Sequence, residues 1–312
     1  MTWALPTLVT EVVQGIKTMK IRGAGRIARV AVKALRMMAE ASKAETIDDL
    51  VAELNFAAET LLRTRIRYVM WRVLQAKNTA SSVDDLKVYT INVANSFIES
   101  SNVAVKKIGE IGARRIKDGD VILTHCHSSA VVAIIRKAWK QGKRLQVYCT
   151  ETRPRFQGRI TAKTLSQAGI PVTMIIDIAA RHFMNEIDKV IVGSDAIAAN
   201  GAVVNKVGTS LIALAAREAR TPFFVAAETY KFSPETMVGE LIVIEERSPS
   251  EVISPARLKA MTNVSIRNPS FDVTPAEYID LIITEKGIIP PQGAISILQE
   301  EYGWFIGEKM GI

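Results

Sequence analysis

The sequence predicts an α/β protein: an N-terminal helical domain followed by a doubly wound, mostly parallel, Rossmann-like sheet domain. Three observations predict it. The first third carries apolar residues at three- and four-residue spacing, with no proline between Pro6 and Pro154 to interrupt long helices. The pattern changes at Asp118-Gly119-Asp120. Beyond that point short apolar runs alternate with amphipathic stretches, the arrangement of parallel strands covered by helices on both faces. The helical domain is expected over residues 1–110 and the sheet domain over 111–312, joined through a continuing helix rather than a linker.

In order along the chain, residues 7–21 and 25–41 read as helices. Residues 46–65 open on a cap, Thr46 with Asp49 three residues later, and carry Leu50, Leu54, Ala57 and Leu61 on one face. Residues 68–76 continue the helical character, and Ser82 with Asp85 caps a further helix extending beyond Val105. The strands are expected at Val121-Ile122-Leu123, Leu145-Gln146-Val147-Tyr148, Val172-Thr173-Met174-Ile175-Ile176, Val190-Ile191-Val192, Phe223-Phe224-Val225 and Leu281-Ile282-Ile283.

Composition narrows the class. Apolar residues are 48% and charged residues 23%, a globular balance that excludes disorder. No run of 18 apolar residues predicts a membrane span, and the first residues lack a secretory pattern, so a cytoplasmic protein is expected. Two cysteines, Cys126 and Cys149, build no disulfide framework. Lys and Arg number 40 against 32 Asp and Glu, a net charge of +8 that favours anionic ligands. The basic residues are dispersed, which argues against nucleic acid.

Ligands of open parallel sheets bind beyond the carboxyl ends of the strands, so the residues after each run are the place to search. Cys126, before a helix, is expected to gain thiolate character from the helix N-terminus, although most free cysteines are small buried hydrophobes. Asp195, in the turn Gly193-Ser194-Asp195, is a candidate general acid or base; the alternative is an ordinary turn aspartate. Ser128 and Ser129 fall at a helix cap and first turn, where a phosphate can be cradled. Lys206 and Lys231 are candidate phosphate contacts or solvated charges. His125 and His127 flank Cys126 but point alike only in an extended chain, and His182 is distant, so a metal site is not expected. Arg22-Gly23-Ala24-Gly25 imitates part of a dinucleotide fingerprint without the strand or the third glycine; a glycine turn with Arg22 as an anion clamp fits better.

Taken together, Thr124-His125-Cys126-His127-Ser128, Glu151-Thr152-Arg153-Pro154, Gln157-Gly158, Gly193-Ser194-Asp195, Asn200-Gly201, Asn205-Lys206-Val207-Gly208-Thr209, Lys231-Phe232 and Phe271-Asp272-Val273-Thr274-Pro275 resemble a known superfamily. It comprises the translation initiation factor 2B alpha, beta and delta subunits and the methylthioribose-1-phosphate isomerases, and the nearest branch is the archaeal ribose-1,5-bisphosphate isomerases. The resemblance covers nearly the whole chain. It implies isomerisation of a phosphorylated pentose within AMP breakdown, AMP as an activator, a homohexamer built as a trimer of dimers, and neither metal nor redox cofactor. The pair Cys126 and Asp195 favours the enzymes over the regulatory subunits, and His127 favours the bisphosphate branch. Carried onto this chain, Cys126 is the catalytic base and Asp195 the acid. Substrate contacts fall on Arg22, Gly23, Ala24, Gly25, Arg65, Ser128, Ser129, Ala130, Asn205, Lys206 and Lys231. At Thr64-Arg65 the sequence departs from the family, in which a proline and several further residues follow; here Ile66-Arg67-Tyr68 comes next.

Overall fold

The computed structural model describes residues 7–303 except Met19, Arg22 and Leu62; the side chains of Leu8, Lys17 and residues 63–67 also lie outside the description. Backbone contacts divide the chain between Ala104 and Val105.

The first unit is helical: α1 (Thr7–Lys17), α2 (Ala24–Ala41), α3 (Ile47–Thr60), α4 (Arg63–Lys77) and most of α5 (Val83–Ala113). Its core holds Leu35, Leu50, Leu54, Leu61, Val73 and Leu86, all fully buried. Thr46 caps α3, its hydroxyl accepting the Asp49 amide at 3.1 Å and donating to the Asp49 carboxylate at 2.7 Å. Ser82 caps α5 through the Asp85 amide at 3.1 Å. The single helix expected over residues 46–65 is in fact two. Leu61 ends α3 as its C-cap, its amide on the Ala57 carbonyl, and a new helix starts at Arg63.

The second unit continues from α5 through β1 (Val121–Thr124), α6 (Ser129–Lys140), β2 (Gln146–Thr150), α7 (Gln157–Ser166), β3 (Val172–Ile175), α8 (Ala180–Phe183), β4 (Lys189–Val192), β5 (Ala196–Ile197), β6 (Val203–Lys206), α9 (Thr209–Ala219), β7 (Phe223–Ala226), α10 (Pro255–Lys259), β8 (Phe271–Thr274), β9 (Leu281–Thr284), β10 (Gly287–Ile289) and α11 (Ala294–Tyr302). The main sheet runs β10-β9-β7-β4-β1-β2-β3. All neighbours in it are parallel except β10, which turns back against β9. Each expected strand is present. The antiparallel edge β10 and a small separate sheet, β5-β6-β8, were not expected.

The strands are apolar on both faces because helices cover both. Ile122, Val147, Ile191 and Ile283 pack with Ile134, Ile135 and Leu165 in one core. The chain builds β1, β2 and β3 outward in one direction, then returns to lay β4 against the other side of β1. The order therefore reverses between β1 and β4, and at such a point the loops diverge and leave a crevice at the carboxyl edge.

Candidate active site

Cys126 follows β1 and Asp195 follows β4, so both stand at the carboxyl edge on either side of the reversal. Gly193 brings the two turns together. A Cβ placed there would lie 2.6 Å from both Cβ and Oγ of Ser128, so only glycine lets the end of β4 approach the cap of α6 this closely. Ser128 is that cap, its hydroxyl accepting from the Val131 amide, and Ser129 opens the helix. Ala130 is fully buried beneath it.

Cys126 has φ 67° and Thr152 has φ 63°. The left-handed region disfavours L-residues by about 1–2 kcal/mol each and is a strong outlier for a β-branched threonine. Hydrogen bonds offset that strain. The Cys126 amide donates to Thr152 Oγ1 at 2.9 Å, and Thr161 Oγ1 donates to the Cys126 carbonyl at 2.8 Å. Asp177, two residues past β3, accepts the amides of Thr152 and Arg153, each at 2.7 Å and each on a separate carboxylate oxygen.

The histidines beside Cys126 turn to different partners. The Val207 carbonyl can only accept, so His125 Nε2 donates to it (3.0 Å), and Nδ1 accepts from the Thr150 hydroxyl (2.6 Å). Burial drives the His125 pKa down to about 4, against a smaller raising influence from Asp177, so the ring is neutral near neutral pH. Thr161 has one proton and gives it to Cys126; His127 Nδ1 must therefore donate to Thr161 Oγ1 at 2.9 Å, and its Nε2 carries the lone pair. Burial also lowers the His127 pKa. His182 is exposed and stands edge-on against Phe183.

The thiolate character expected of Cys126, which is half-buried, is opposed by its surroundings. Burial pushes its thiol up to about 12, and the carboxylates of Asp195 and Asp177 add to the rise. The Lys206 ammonium and the His127 amide, which hydrogen-bonds the sulfur, pull the other way without prevailing. The helix end does not rescue the expectation, because Ser128, not Cys126, is the residue whose side chain meets the first-turn amides. Those same influences place Lys206, Asp195 and the sulfur in one electrostatic neighbourhood.

Lys206 ends β6, is buried, and lies over the Phe271 ring at 4.9 Å, so it is not a solvated charge. Asn205 Nδ2 donates to Thr209 Oγ1 at 3.0 Å, and that hydroxyl closes on the Lys206 carbonyl at 2.6 Å. The loop then enters α9 through Gly208, at φ 103°, whose missing side chain makes room for the His125 ring. Gly208 has no capping side chain of its own. Asp272, across the small sheet, accepts the amides of Gly208 (2.7 Å) and Ser210 (3.1 Å) instead. Burial raises the Asp272 pKa to about 6.

Lys231 follows β7 and is also buried, with Nζ 2.6 Å from the fully buried Glu228 carboxylate, so its charge already has a partner. In the helical unit, Gly23 is the N-cap of α2 at φ 86°, without a side-chain cap, and Ala24 and Gly25 open the helix. Arg22 lies outside the described residues, and so does the Arg65 side chain; the Arg65 backbone belongs to α4. Among the described residues no three His, Cys, Asp or Glu side chains form a metal-binding group, and no helix is long and apolar enough to cross a membrane.

Sequence reasoning assigned no role to Thr150, Thr152, Thr161, Asp177, Glu228 or Asp272. The rule that pointed to Cys126 also pointed to Asp177, which follows a strand at the same edge.

Residues 20–291 match the model of the initiation factor 2 subunit family. A ribose 1,5-bisphosphate isomerase of Thermococcus kodakarensis is 52% identical over 306 residues, 95% of each chain. A methylthioribose-1-phosphate isomerase of Acetivibrio thermocellus is 40% identical, over 90% of this chain and 88% of its own. A crystal structure of a Pyrococcus horikoshii translation initiation factor eIF-2B superposes with a TM-score of 0.78 at 34% identity, covering 93% of this chain and all of that one.

Proposed function

The chain belongs to the initiation factor 2 subunit family, and from that membership we propose that it is a ribose 1,5-bisphosphate isomerase, converting α-ribose 1,5-bisphosphate to ribulose 1,5-bisphosphate. The observation that carries the reading is that Cys126 and Asp195 follow β1 and β4, on either side of the reversal of the main sheet, with the buried Lys206 at the end of β6 in the small sheet acting on the charge of the sulfur.

The chemistry asks for these groups. C1 carries a phosphate, so the ring must open by breaking the bond from C1 to the ring oxygen while that oxygen gains a proton. A proton must also leave C2 and one must reach C1, while the C2 hydroxyl gives up its proton to become the carbonyl. Asp195 is the acid for the ring oxygen and, left ionised by that step, takes the proton given up by the C2 hydroxyl; Cys126 is the base that takes the C2 proton and returns it to C1. The raised thiol pKa adds a condition: the resting sulfur holds its proton and must pass it to Asp195, which then delivers it to the ring oxygen, before the sulfur can act as base. Lys206 and the His127 amide are the groups that favour that release. Ser128, Ser129 and Ala130 at the start of α6, Asn205 and Lys206 on β6, and Lys231 form the anion-binding set of the sheet unit. Arg22, Gly23, Ala24 and Gly25, with Arg65, form that of the helical unit. AMP as an activator, a homohexamer, and a cytoplasmic place in AMP breakdown belong to the same proposal through the family resemblance.

The test is turnover of α-ribose 1,5-bisphosphate followed by phosphorus NMR, beside methylthioribose 1-phosphate. The bisphosphate is expected to react and the thioether sugar to react poorly. Folded protein that converts neither, and that binds nucleotide as well after Cys126→Ser as before, would instead be a regulatory subunit.

A further inference from the structure

Three neighbouring strands end in residues that hold one another. Asp177 beyond β3 accepts two consecutive amides, those of Thr152 and Arg153, beyond β2. Thr152 in turn accepts the amide of Cys126, beyond β1. The line runs across the carboxyl edge of the sheet and stops at the sulfur.

Two features separate this line from ordinary loop packing. Both Thr152 and Cys126 hold left-handed backbone, which glycine or asparagine would adopt readily. A loop with no further duty would carry those residues. Instead the conformation is enforced from outside, at Thr152 by Asp177 and at Cys126 by Thr152 on its amide and Thr161 on its carbonyl. With both peptide groups tied, Cys126 cannot rotate about its own backbone, and the direction of its Cα–Cβ bond is set.

We propose that Asp177 and Thr152 are positioning residues, which aim the Cys126 sulfur into the crevice by fixing its backbone in the left-handed conformation. The proposal rests on the isomerase reading for its kinetic consequence, and on geometry alone for its effect on the sulfur.

The experiment pairs Thr152→Val with Thr152→Ser. Valine keeps the shape and loses the acceptor; serine keeps the acceptor. Two quantities are read: kcat and KM on α-ribose 1,5-bisphosphate, and the rate of alkylation of Cys126 by iodoacetamide, followed by mass spectrometry. Cys149 is fully buried, which isolates the signal of Cys126. Thr152→Val is expected to lower kcat about 10- to 100-fold with KM within about twofold, because a misaimed group loses rate rather than binding. It is also expected to change the alkylation rate at least about fivefold, because the sulfur leaves its fixed surroundings. Thr152→Ser should restore both.

Wild-type kcat and alkylation in Thr152→Val would overturn the proposal. So would a Thr152→Ser as impaired as the valine variant, because serine keeps the acceptor and the loss would then not follow the Cys126 amide bond. If Thr152→Val fails to fold, Asp177→Asn replaces it. Its side chain is about a quarter exposed, and its amide nitrogen cannot accept, so one of the two loop amides loses its partner. It is expected to show the same division between kcat and KM. Alkylation needs no substrate. Failure of the wild type to turn over the sugar would therefore sink the isomerase reading while the alkylation result still decides the positioning.

Discussion

Gly158 is where the packing of the site can be probed hardest. It is the second residue of α7, and a Cβ built on it would lie 1.7 Å from the Thr150 carbonyl oxygen and 3.0 Å from Thr152 Oγ1. Real contacts do not close below 3.0 Å, so in Gly158→Ala the start of α7 must retreat from β2 by roughly 1.3 Å. The obstacle is backbone, which cannot swing aside. Overpacking of this kind costs about 1–3 kcal/mol, whereas the same change at an open helical position stabilises by roughly 1 kcal/mol. The sign of the effect is therefore diagnostic. For a unit of about 200 residues each kcal/mol moves the melting temperature by about 2–4 °C, so a loss of about 2–12 °C is expected in thermal unfolding followed by circular dichroism. Thr161 stands one turn further along and moves with the helix, which breaks its 2.8 Å bond to Cys126 and alters the alkylation rate of the sulfur. A Gly158→Ala protein that melts at or above the wild-type temperature would show that the close approach is not obligatory.

Three further outcomes are expected. Cys126→Ser and Asp195→Asn should each lower kcat about 10²- to 10⁴-fold with melting unchanged, and a variant retaining a tenth of wild-type kcat would remove that residue from the reaction. Lys231→Ala leaves the Glu228 carboxylate buried without its cation and should destabilise by about 3–5 kcal/mol in urea unfolding, most of it recovered in the double variant Glu228→Gln with Lys231→Met; an Ala variant as stable as the wild type would refute the pairing. In acid two groups oppose each other. The His125 pKa is depressed from 6.5 to about 4, so the unfolded chain binds the proton first, and stability present above pH 6.5 is lost towards pH 4, by at most about 3 kcal/mol. The Asp272 pKa is raised from 3.8 to about 6, so the folded chain binds the proton first and stability is gained as pH falls through that range. Asp272→Asn removes the offset, and its urea midpoint should fall more steeply below pH 6 than that of the wild type; parallel curves would contradict the assignment.

The parallel strands were legible because each is a run of buried apolar residues flanked by amphipathic helices. Thr46, Ser82 and Ser128 were legible as caps because capping is local chemistry. The break at Leu61 was not, since apolar spacing continues across it. The small sheet escaped because β5 is two residues long and β6 meets β8 across more than sixty residues of chain, a pairing no local pattern records. At the site, Cys126, Asp195, Ser128 and Lys206 were found by their place after apolar runs. The direction of the Cys126 shift was not, because burial is set by the closing of the whole edge and not by the next helix turn. Thr152, Thr161 and Asp177 act through bonds between separate loops, and Glu228 reads in sequence as one more acidic residue, although it is fully buried against Lys231.

The contact of Gly193 with Ser128 has a consequence for how the molecule behaves in different surroundings. The turns bearing sulfur and carboxylate approach so closely that Gly193 leaves no room for a Cβ against Ser128, and steric packing of that kind, unlike an ion pair, does not soften with added salt or titrate with pH. The gap between the two groups is thus gauged by a missing methyl, like a shim cut to thickness. It should keep the same width in dilute buffer and in molar salt, while the charges around it come and go.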